Sequence, residues 1–278
     1  MFYSPLRYPG GKGKILSFMV DLVKLNKLEN IEYVEPYAGG AAVALGLLLN
    51  NIVKKIHIND SDKAIHAFWY SILNYTDEFI LKINNTPVTV DEWKKQKNIY
   101  NNLEKYSTLE VGFSAFYLNR CNRSGVLKGG PIGGYNQEGK WKIDARFNKK
   151  DLISRILKIV EYKDKIELYN EDTANLLENN KFSLKNCILY LDPPYYVKGY
   201  QLYKNHYKPS DHEKISELVK RLNCYWVVSY DNVQPIVALY DDIQKVEFNI
   251  SYSAGKNRSG KEVMFFSDNL KIPNRKIC

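Results

Sequence analysis

Apolar and polar positions divide the chain into two blocks in which strands and helices alternate, separated by a stretch without that rhythm. In the first block, residues 31–36 (IEYVEP) form a short apolar run that is typical of a buried strand. Residues 41–49 follow as an apolar helix, and residues 54–60 as a second strand. Because the connections are short, the pattern predicts a βαβ unit and therefore a parallel sheet.

The second block starts near Lys149 and ends in two strands that flank a polar, glycine-rich turn. We predict a helix over 210–222 with Ser210 as its N-cap and Glu213 at the capping-box position. The last two strands are expected to pair as an antiparallel hairpin at one edge of the sheet. The elements predicted in this block are a helix over 149–160, a strand over 165–170, a helix over 173–180, a strand over 187–192, the helix over 210–222, and strands over 224–230, 243–250 and 262–267.

The intervening residues, 65–148, are rich in Asn, Lys, Tyr and Trp, and their centre is dense in glycine and basic residues. A stretch of this length without a βαβ rhythm is better explained by an inserted domain than by a loop. We therefore predict one domain built from residues 1–64 and 149–278, with a second domain at 65–148 inserted into it.

Composition narrows the possible classes of protein. With 278 residues, 45% of them hydrophobic, the chain can bury a substantial core. No segment approaches the roughly 18 apolar residues needed to cross a bilayer, and the N-terminus lacks the apolar region of a secretion signal. The four cysteines form no CxxC pair, so we expect neither disulfides nor a metal site, and a reducing cytoplasm. A net charge of +9 and 13% aromatic residues favour nucleic acid as a partner, although many basic proteins bind none.

Two glycine-rich turns precede predicted helices. In RYPGGKGK, backbone amides beside Lys12 could hold an anion; the spacing is not that of a Walker A loop, and a flexible tail is the alternative. In VEPYAGGAAV, Glu35 ends a strand and residues 38–40 form a tight turn where a ligand could lie against the backbone. The alternative for this second turn is a close-packed strand-to-helix connection.

An acid follows the second strand of the first block. Asp60 stands where α/β folds commonly bind a ribose diol, whereas Asp62 is better explained as the N-cap of the next helix. The glycine-rich turn after the first strand and the acid after the second together suggest a cofactor that contains adenosine.

The strand at 187–191 ends on Asp192, Pro193, Pro194 and Tyr195. Proline has no amide donor, so this step cannot extend a sheet ladder. It does make the backbone rigid, and we expect the Asp192 carboxylate and the Pro193 carbonyl to face one crevice. Two acceptors in fixed geometry suit an exocyclic amino group, and the Tyr195 ring suits a planar heterocycle. The alternative is an acid that caps a proline-rich turn, and the neighbouring Tyr196 has no explanation at this stage.

Together these motifs carry a family resemblance. The chain resembles the Dam-type, D12-class DNA adenine-N6 methyltransferases, with RYPGGK, VEPYAGG, INDSD, NRCNRSG, YLDPPY and SYSAGKNRSGKEV in the order the class uses. It departs from the common pattern at Tyr8, where tryptophan is usual, and at Tyr37. The resemblance implies an α/β fold with a Rossmann-like seven-stranded sheet, an antiparallel edge hairpin and a smaller inserted target-recognition domain. It also implies S-adenosylmethionine as methyl donor and no metal.

The resemblance assigns roles to particular residues. Residues 35–40 would cradle the methionine moiety, Asp60 would bind the ribose, and Asp172 would lie near the adenine, with an N-cap as the alternative for Asp172. The hairpin at 254–261 would add backbone contacts to DNA. The implied cofactor-binding residues are Tyr8, Lys12, Glu35, Pro36, Tyr37, Ala38, Gly39, Gly40, Asp60 and Asp172. The implied DNA-binding residues are Arg7, Asn119, Arg120, Asn122 and Arg123.

The predicted reaction is methyl transfer to N6 of an adenine flipped out of double-stranded DNA, because a stacked base cannot present its amine to the donor. Asp192, Pro193, Pro194 and Tyr195 are the expected catalytic residues, and it stays open whether Asp192 also removes a proton. The alternatives are cytosine-N4 methylation, which an acid rather than a serine before the prolines disfavours, and a catalytically silent DNA-binding module. A cognate restriction endonuclease is a further candidate partner; we expect a monomer, no membrane association, and a bacterial, archaeal or phage source.

Overall fold

The structure, a computed structural model, describes residues 3–7, 12–179, 186–197, 207–252, 258–275 and 277, with backbone only at 12–14, 250–252 and 258–259. The chain forms two compact units. The larger unit comprises Gly10–Ser61 and Lys165–Cys278, and the smaller comprises Tyr3–Pro9 and Asp62–Asp164.

The larger unit is built on one seven-stranded sheet, in the order β3-β2-β1-β4-β5-β7-β6. Strands β1 to β5 pair in parallel, whereas β7 lies antiparallel between β5 and β6. This confirms the predicted seven-stranded α/β sheet with an antiparallel edge hairpin. The strands are β1 (Glu32–Glu35), β2 (Lys55–Asn59), β3 (Ile166–Tyr169), β4 (Cys187–Leu191), β5 (Tyr225–Asp231), β6 (Lys245–Tyr252) and β7 (Arg258–Phe266).

Helices accompany the strands of the larger unit. They are α1 (Lys12–Leu25), α2 (Ala42–Leu49), α8 (Thr173–Glu178), α9 (Pro209–Lys220) and α10 (Gln234–Leu239). Helix α2 is apolar on all sides, and accordingly every residue from 43 to 49 is buried.

The start of α9 differs from the prediction. Lys208 is the N-cap and Pro209 occupies the first turn, where its missing amide costs nothing. The Asp211 carboxylate accepts the Lys208 amide at 2.7 Å, so Asp211 takes the reciprocal role assigned to Glu213. The prediction of Ser210 as the N-cap was therefore wrong by two residues.

The order of the strands reverses between β1 and β4, whose neighbours on the far sides are β2 and β5. In open α/β sheets, ligands bind outside the carboxyl ends of the strands at such a switch point. Glu35 at the end of β1, Asn59 at the end of β2 and Asp192 after β4 all lie at this edge of the sheet.

The smaller unit is helical, and its core is aromatic. The Phe68 and Phe116 rings stack in parallel with centroids 5.8 Å apart, and Phe79, Phe113 and Phe147 pack around them. The helices of this unit are α3 (Lys63–Asn74), α4 (Thr76–Asn85), α5 (Val90–Asn101), α6 (Thr108–Cys121) and α7 (Lys149–Val160).

The boundaries of this unit differ from the predicted insertion at 65–148. Helix α7 packs on α3 and α4 and belongs to the smaller unit, although its sequence fits the strand–helix rhythm of the second block. Its apolar stripe, Leu152, Ile156 and Ile159, is buried. The N-terminal segment Tyr3–Pro9 also belongs to this unit. An amphipathic pattern shows that a helix buries one face and does not show which partner covers that face.

Within the ranges described, no helix combines the length and the apolar character that a membrane span requires. The same residues contain no group of three or more His, Cys, Asp or Glu side chains placed to hold a metal ion.

Candidate active site

The turn between β1 and α2 is tightly folded and anchored by a buried acid. Glu35 is fully buried, and its Oε2 accepts the backbone amide of Ala44 in the first turn of α2 at 3.0 Å. A carboxylate is favoured there because amides at a helix N-terminus lack backbone partners. Gly39 and Ala41 have left-handed φ values of 49° and 46°. This conformation costs a residue with a Cβ roughly 1–2 kcal/mol, so Ala41 marks a strained turn beside the strand end.

Asn59 and Asp60 join the ends of three strands. The Asn59 amide nitrogen donates to the carbonyls of Pro36, at 2.9 Å, and Glu171, at 3.1 Å, while its oxygen accepts the Glu171 amide at 2.9 Å. Asp60 Oδ2 accepts the Gly39 amide at 2.9 Å. The acid at the end of β2 thus supports the turn after β1, and Asn59 connects the tips of β1, β2 and β3.

Asp192 is oriented by two hydroxyl groups from adjacent strands. Ser229 Oγ of β5 donates to Asp192 Oδ1 at 2.8 Å, and the Tyr190 hydroxyl lies 2.8 Å from Ser229 Oγ. The single proton of the serine hydroxyl points to Asp192, so Tyr190 is the donor to Ser229. Burial, reinforced by the Asp192 charge, raises the pKa of Tyr190 well above its ordinary value and keeps it protonated. The carboxylate after β4 therefore has a fixed position.

The segment that contains the two prolines, residues 192–197, is called the proline loop, and its last three residues are held by side chains of β5 and β7. The Tyr195 hydroxyl donates to Glu262 Oε1 at 2.8 Å. The Asp231 carboxylate accepts the amides of Tyr196, at 2.9 Å, and Val197, at 3.2 Å. Asp231 and Glu262 are cross-strand partners, so one position of the β5–β7 ladder holds this loop at three points.

Tyr196 lies in an aromatic cluster beside the site. Its ring packs on His212 with centroids 5.2 Å apart, and His212 also contacts Tyr207 and Tyr230. Burial lowers the pKa of His212, so the imidazole is neutral and its Nδ1 lies 3.0 Å from the Tyr230 hydroxyl. The Tyr207 hydroxyl is 2.8 Å from that of Tyr37 in the turn after β1. Contacts through His212 and Tyr207 therefore connect Tyr196 of the proline loop to Tyr37 in the turn after β1.

A comparison with protein families identifies the family of this chain. The family model described as D12 class N6 adenine-specific DNA methyltransferase matches residues 8–256, most of the chain. The chain belongs to this family. It is also 28% identical over 206 residues to the Type II methyltransferase M.MjaIII of Methanocaldococcus jannaschii, an overlap that covers 68% of each protein.

Solved structures give more distant likenesses. A Pyrococcus horikoshii protein proposed to be an RNA methyltransferase has a TM-score of 0.44 and 11% identity, over 91% of this chain and 82% of that chain. The rRNA methyltransferase aviRa of Streptomyces viridochromogenes has a TM-score of 0.38 and 9% identity, over 89% of this chain and 82% of that chain. At these values the similarity is distant and concerns the chain fold alone.

The residues that the D12 resemblance assigned to the cofactor differ in where they lie. Those from 35 to 40 and Asp60 meet at the ends of β1 and β2. Asp172 is exposed and caps α8, where it accepts the amides of Ala174 and Asn175 at 2.9 and 3.4 Å, which is the alternative considered for this acid. Tyr8 lies outside the described residues, and Lys12 is described only as the first backbone position of α1.

Asn119, which the resemblance assigned to DNA, has a structural role in the smaller unit. Asn119 is completely buried. Its side-chain oxygen accepts the Arg7 N–H at 2.6 Å, and its side-chain nitrogen donates to the carbonyls of Arg7 at 2.8 Å and Gly125 at 2.9 Å. The Arg7 guanidinium donates to the Asn122 carbonyl at 3.0 Å, and burial lowers its pKa. Asn119 thereby fastens the N-terminal segment to the loop between α6 and α7, residues 122–148, which we call the glycine-rich loop.

Arg120 and Asn122 are buried as well. Arg120 Nε donates to the Arg146 carbonyl at 2.7 Å. Asn122 accepts the Trp93 indole N–H at 2.6 Å and donates to the Val126 carbonyl at 2.8 Å. In this structure the two side chains shape the loop instead of presenting donors to a partner. Of the five residues assigned to DNA, Arg123 is exposed.

The glycine-rich loop is ordered by a residue that sequence analysis did not single out. Gln137 donates to the Ile132 carbonyl at 2.9 Å and accepts the Ile143 amide at 2.8 Å. The loop exposes two large rings, Tyr135 at 61% and Trp141 at 65% of their surface. The loop contains turns, a short 3-10 helix at Arg123–Gly125 and one isolated antiparallel bridge between residues 122 and 131. Of the hairpin at 254–261 that the resemblance assigned to DNA, residues 254–257 lie outside the described residues.

Sequence analysis also missed four supports of the site in the larger unit, namely Asn59, Ser229, Asp231 and Glu262. A signal exists for each of them, since each is a polar residue inside or at the end of an otherwise apolar strand. Glu262 has the clearest signal, because it precedes four buried apolar residues in β7. Asn59, Ser229 and Glu262 are buried, and Asp231 is half-buried. A polar group that is withdrawn from water requires a specific partner.

Proposed function

We propose that this chain transfers a methyl group from S-adenosylmethionine to N6 of an adenine in double-stranded DNA. The observation that carries the proposal is the Asp192 carboxylate, held by Ser229 at the carboxyl end of β4, directly before two buried prolines. Membership of the D12 family supports adenine as the target base.

The residues at the ends of β1 and β2 fit the proposed cofactor. S-Adenosylmethionine carries a sulfonium, an ammonium and two ribose hydroxyls, all of which favour anionic or hydrogen-bond acceptors. Asp60 accepts from Gly39, and an ionised carboxylate has about four acceptor sites, which leaves capacity for a ribose diol. Gly39 and Gly40 would let the methionine part lie against the backbone. When bound, the cofactor supplies a methyl group that is already activated by the sulfonium charge.

The residues of the proline loop would act on the target amine. The N6 lone pair of adenine is conjugated with its ring and is therefore a weak nucleophile. Hydrogen bonds from the two N6 protons to Asp192 and to the Pro193 carbonyl would favour a pyramidal nitrogen whose lone pair is available. The relay from Tyr190 through Ser229 holds Asp192 in place beforehand, so that little reorganisation is needed during the reaction. Tyr195 would stack on the flipped base.

The same two acceptors would also suit the exocyclic amine of cytosine. Family membership and the acid before the prolines favour adenine, and the intact network around Asp192 argues against a silent DNA-binding module.

Incubation with S-adenosylmethionine labelled in its methyl group is expected to label double-stranded DNA. Nucleosides released by digestion would contain the label as N6-methyladenine, because Asp192 and Pro193 grip an adenine amine. Chromatography against standards identifies the base. Label in N4-methylcytosine would replace this proposal by the cytosine alternative, and DNA that stays unlabelled would contradict both.

For the DNA contact we propose the exposed residues of the glycine-rich loop. Lys140 lies over the Trp141 ring at 5.9 Å, and the Arg123 guanidinium lies next to Gly134 in the same loop. Exposed rings beside cations are suited to stacking on bases near a phosphate backbone. The buried Asn119, Arg120 and Asn122 would support this surface from beneath.

Trp141→Ala is expected to weaken the binding of double-stranded DNA by about 10-fold, since one aromatic contact with a base contributes roughly 1–3 kcal/mol. Trp141→Phe should recover most of the affinity. Fluorescence anisotropy at fixed salt measures both variants. Tyr75→Ala removes an exposed ring elsewhere in the smaller unit and serves as the control. Equal affinities for Trp141→Ala and the wild type would exclude the loop as the contact.

A further inference from the structure

Glu262 is a buried carboxylate in an apolar strand. Its side chain is 2% exposed, and residues 263–266 of β7 are completely buried. Burying an acid is costly unless hydrogen bonds compensate, so an apolar residue would be expected here if sheet stability were the only requirement. The bond that Glu262 makes to the proline loop is the one donated by the Tyr195 hydroxyl at 2.8 Å.

The position opposite Glu262 strengthens this point. Asp231 faces it across the β5–β7 ladder, and like charges directly opposite each other destabilise an antiparallel pair. What the two acids share is the loop after the prolines, because Asp231 accepts the amides of Tyr196 and Val197 while Glu262 accepts the Tyr195 hydroxyl. Both acids of this cross-strand pair therefore bond the loop after the prolines.

We infer that Glu262 is a positioning residue that sets the orientation of the Tyr195 ring for the target base. The inference rests on the proposed function, in which Tyr195 stacks on a flipped adenine. The ring is attached to the loop through its Cβ, and a hydrogen bond at its far end fixes the hydroxyl oxygen and therefore χ1. Because a phenolic O–H prefers to lie in the plane of the ring, the same bond favours the ring rotation that brings Glu262 close to that plane. Such preorganisation lowers the cost of aligning the base with the methyl donor.

A double-mutant cycle tests the coupling between the two residues. Tyr195→Phe and Glu262→Leu are each expected to lower kcat by about 10- to 100-fold, the range for losing a hydrogen bond to a charged group. The double variant should be no slower than either single variant, because both changes remove the same bond. Glu262→Gln keeps an acceptor oxygen and should stay within about 3-fold of the wild type. Glu247→Leu, an exposed acid on β6, is the matched control and should leave kcat unchanged.

Two further measurements separate positioning from a structural role. The melting temperature of Glu262→Leu should equal or exceed that of the wild type, because an apolar residue replaces a buried charge. The KM for S-adenosylmethionine should not change. Base-resolved mapping of N6-methyladenine first locates the target adenine. With 2-aminopurine in place of that adenine, the fluorescence of the extruded base should be altered in Tyr195→Phe and Glu262→Leu and normal in Glu262→Gln.

The inference is overturned if the effects of the two single variants multiply in the double variant, or if kcat and the melting temperature fall together in Glu262→Leu. It is also overturned if Glu262→Gln is as slow as Glu262→Leu. If the wild-type protein methylates DNA but the variants give any of these contrary results, the inference about Glu262 is rejected and the proposed function is retained. A wild-type protein that transfers no methyl group to DNA removes both.

Discussion

Asp192→Ala is expected to lower the rate of methyl transfer to DNA by about 10²- to 10³-fold, the loss typical when one preorganised polar group is removed from a reacting centre. The substitution removes the acceptor for the target amine and leaves the Ser229 hydroxyl without its carboxylate. Because Asp192 lies after β4 and the proposed cofactor site lies at β1 and β2, affinity for S-adenosylmethionine should change little. Single-turnover transfer of label and calorimetric titration of the cofactor measure the two effects separately.

Two variants make this experiment selective. Asp192→Asn keeps the size and one oxygen acceptor of the side chain and should lose about 10-fold less activity than Asp192→Ala. Asp268→Ala removes an exposed acid in the same unit and should behave as the wild type. Transfer by Asp192→Ala within twofold of the wild-type rate would contradict the role of this carboxylate.

Asn59→Leu is expected to lower the free energy of unfolding by about 3 kcal/mol. Leucine has a similar size but leaves the Glu171 amide and the carbonyls of Pro36 and Glu171 without the Asn59 side chain, and each buried polar group that loses its partner costs about 1–3 kcal/mol. The ends of β1, β2 and β3 would no longer be joined, so affinity for S-adenosylmethionine should fall as well.

Urea unfolding and cofactor titration measure these two consequences of Asn59→Leu. Asn170→Ala is the matched control, because the Asn170 amide donates to the Asp60 carbonyl at 2.7 Å from an exposed position nearby. It should lower the free energy of unfolding by less than about 1 kcal/mol, since water can replace the lost bond. Equal losses for the two variants would show that the buried connection between the strands has no special importance.

Most elements of the larger unit could be predicted because they carry a local signal, whereas the short helix α10 was not predicted. The apolar runs at 31–36 and 187–192 match β1 and β4 within two residues, and the polar turn between the last two strands indicated the antiparallel hairpin. Where local signals compete, prediction was less accurate. Ser210 and Pro209 both suit a helix start, and the chain uses Lys208 as the cap because Asp211 can reach its amide.

The absence of a βαβ rhythm predicted an insertion at 65–148, whereas the smaller compact unit also includes Tyr3–Pro9 and α7. The stripe of α7 would fit either a sheet or a helical bundle, and only packing on α3 and α4 assigns it to the smaller unit. The same holds for Asn119 and Arg120, whose residue types suit DNA contacts. Their burial depends on contacts with segments distant in sequence, such as Arg7 at 112 residues from Asn119.

From sequence alone, the residues at the strand ends could be identified, because turns, prolines and acids after apolar runs have local causes in backbone geometry. Asp192, Asp60 and the turn at 38–40 belong to this class. The groups that orient them could not, since Ser229 meets Asp192 across 37 residues and Glu262 meets Tyr195 across 67. These residues come into contact only when β5 pairs with β4 and β7 pairs with β5. The register of that pairing is a property of the folded sheet. The chemistry proposed for the DPPY motif is therefore encoded locally, whereas the rigidity on which it depends arises from the order of the strands.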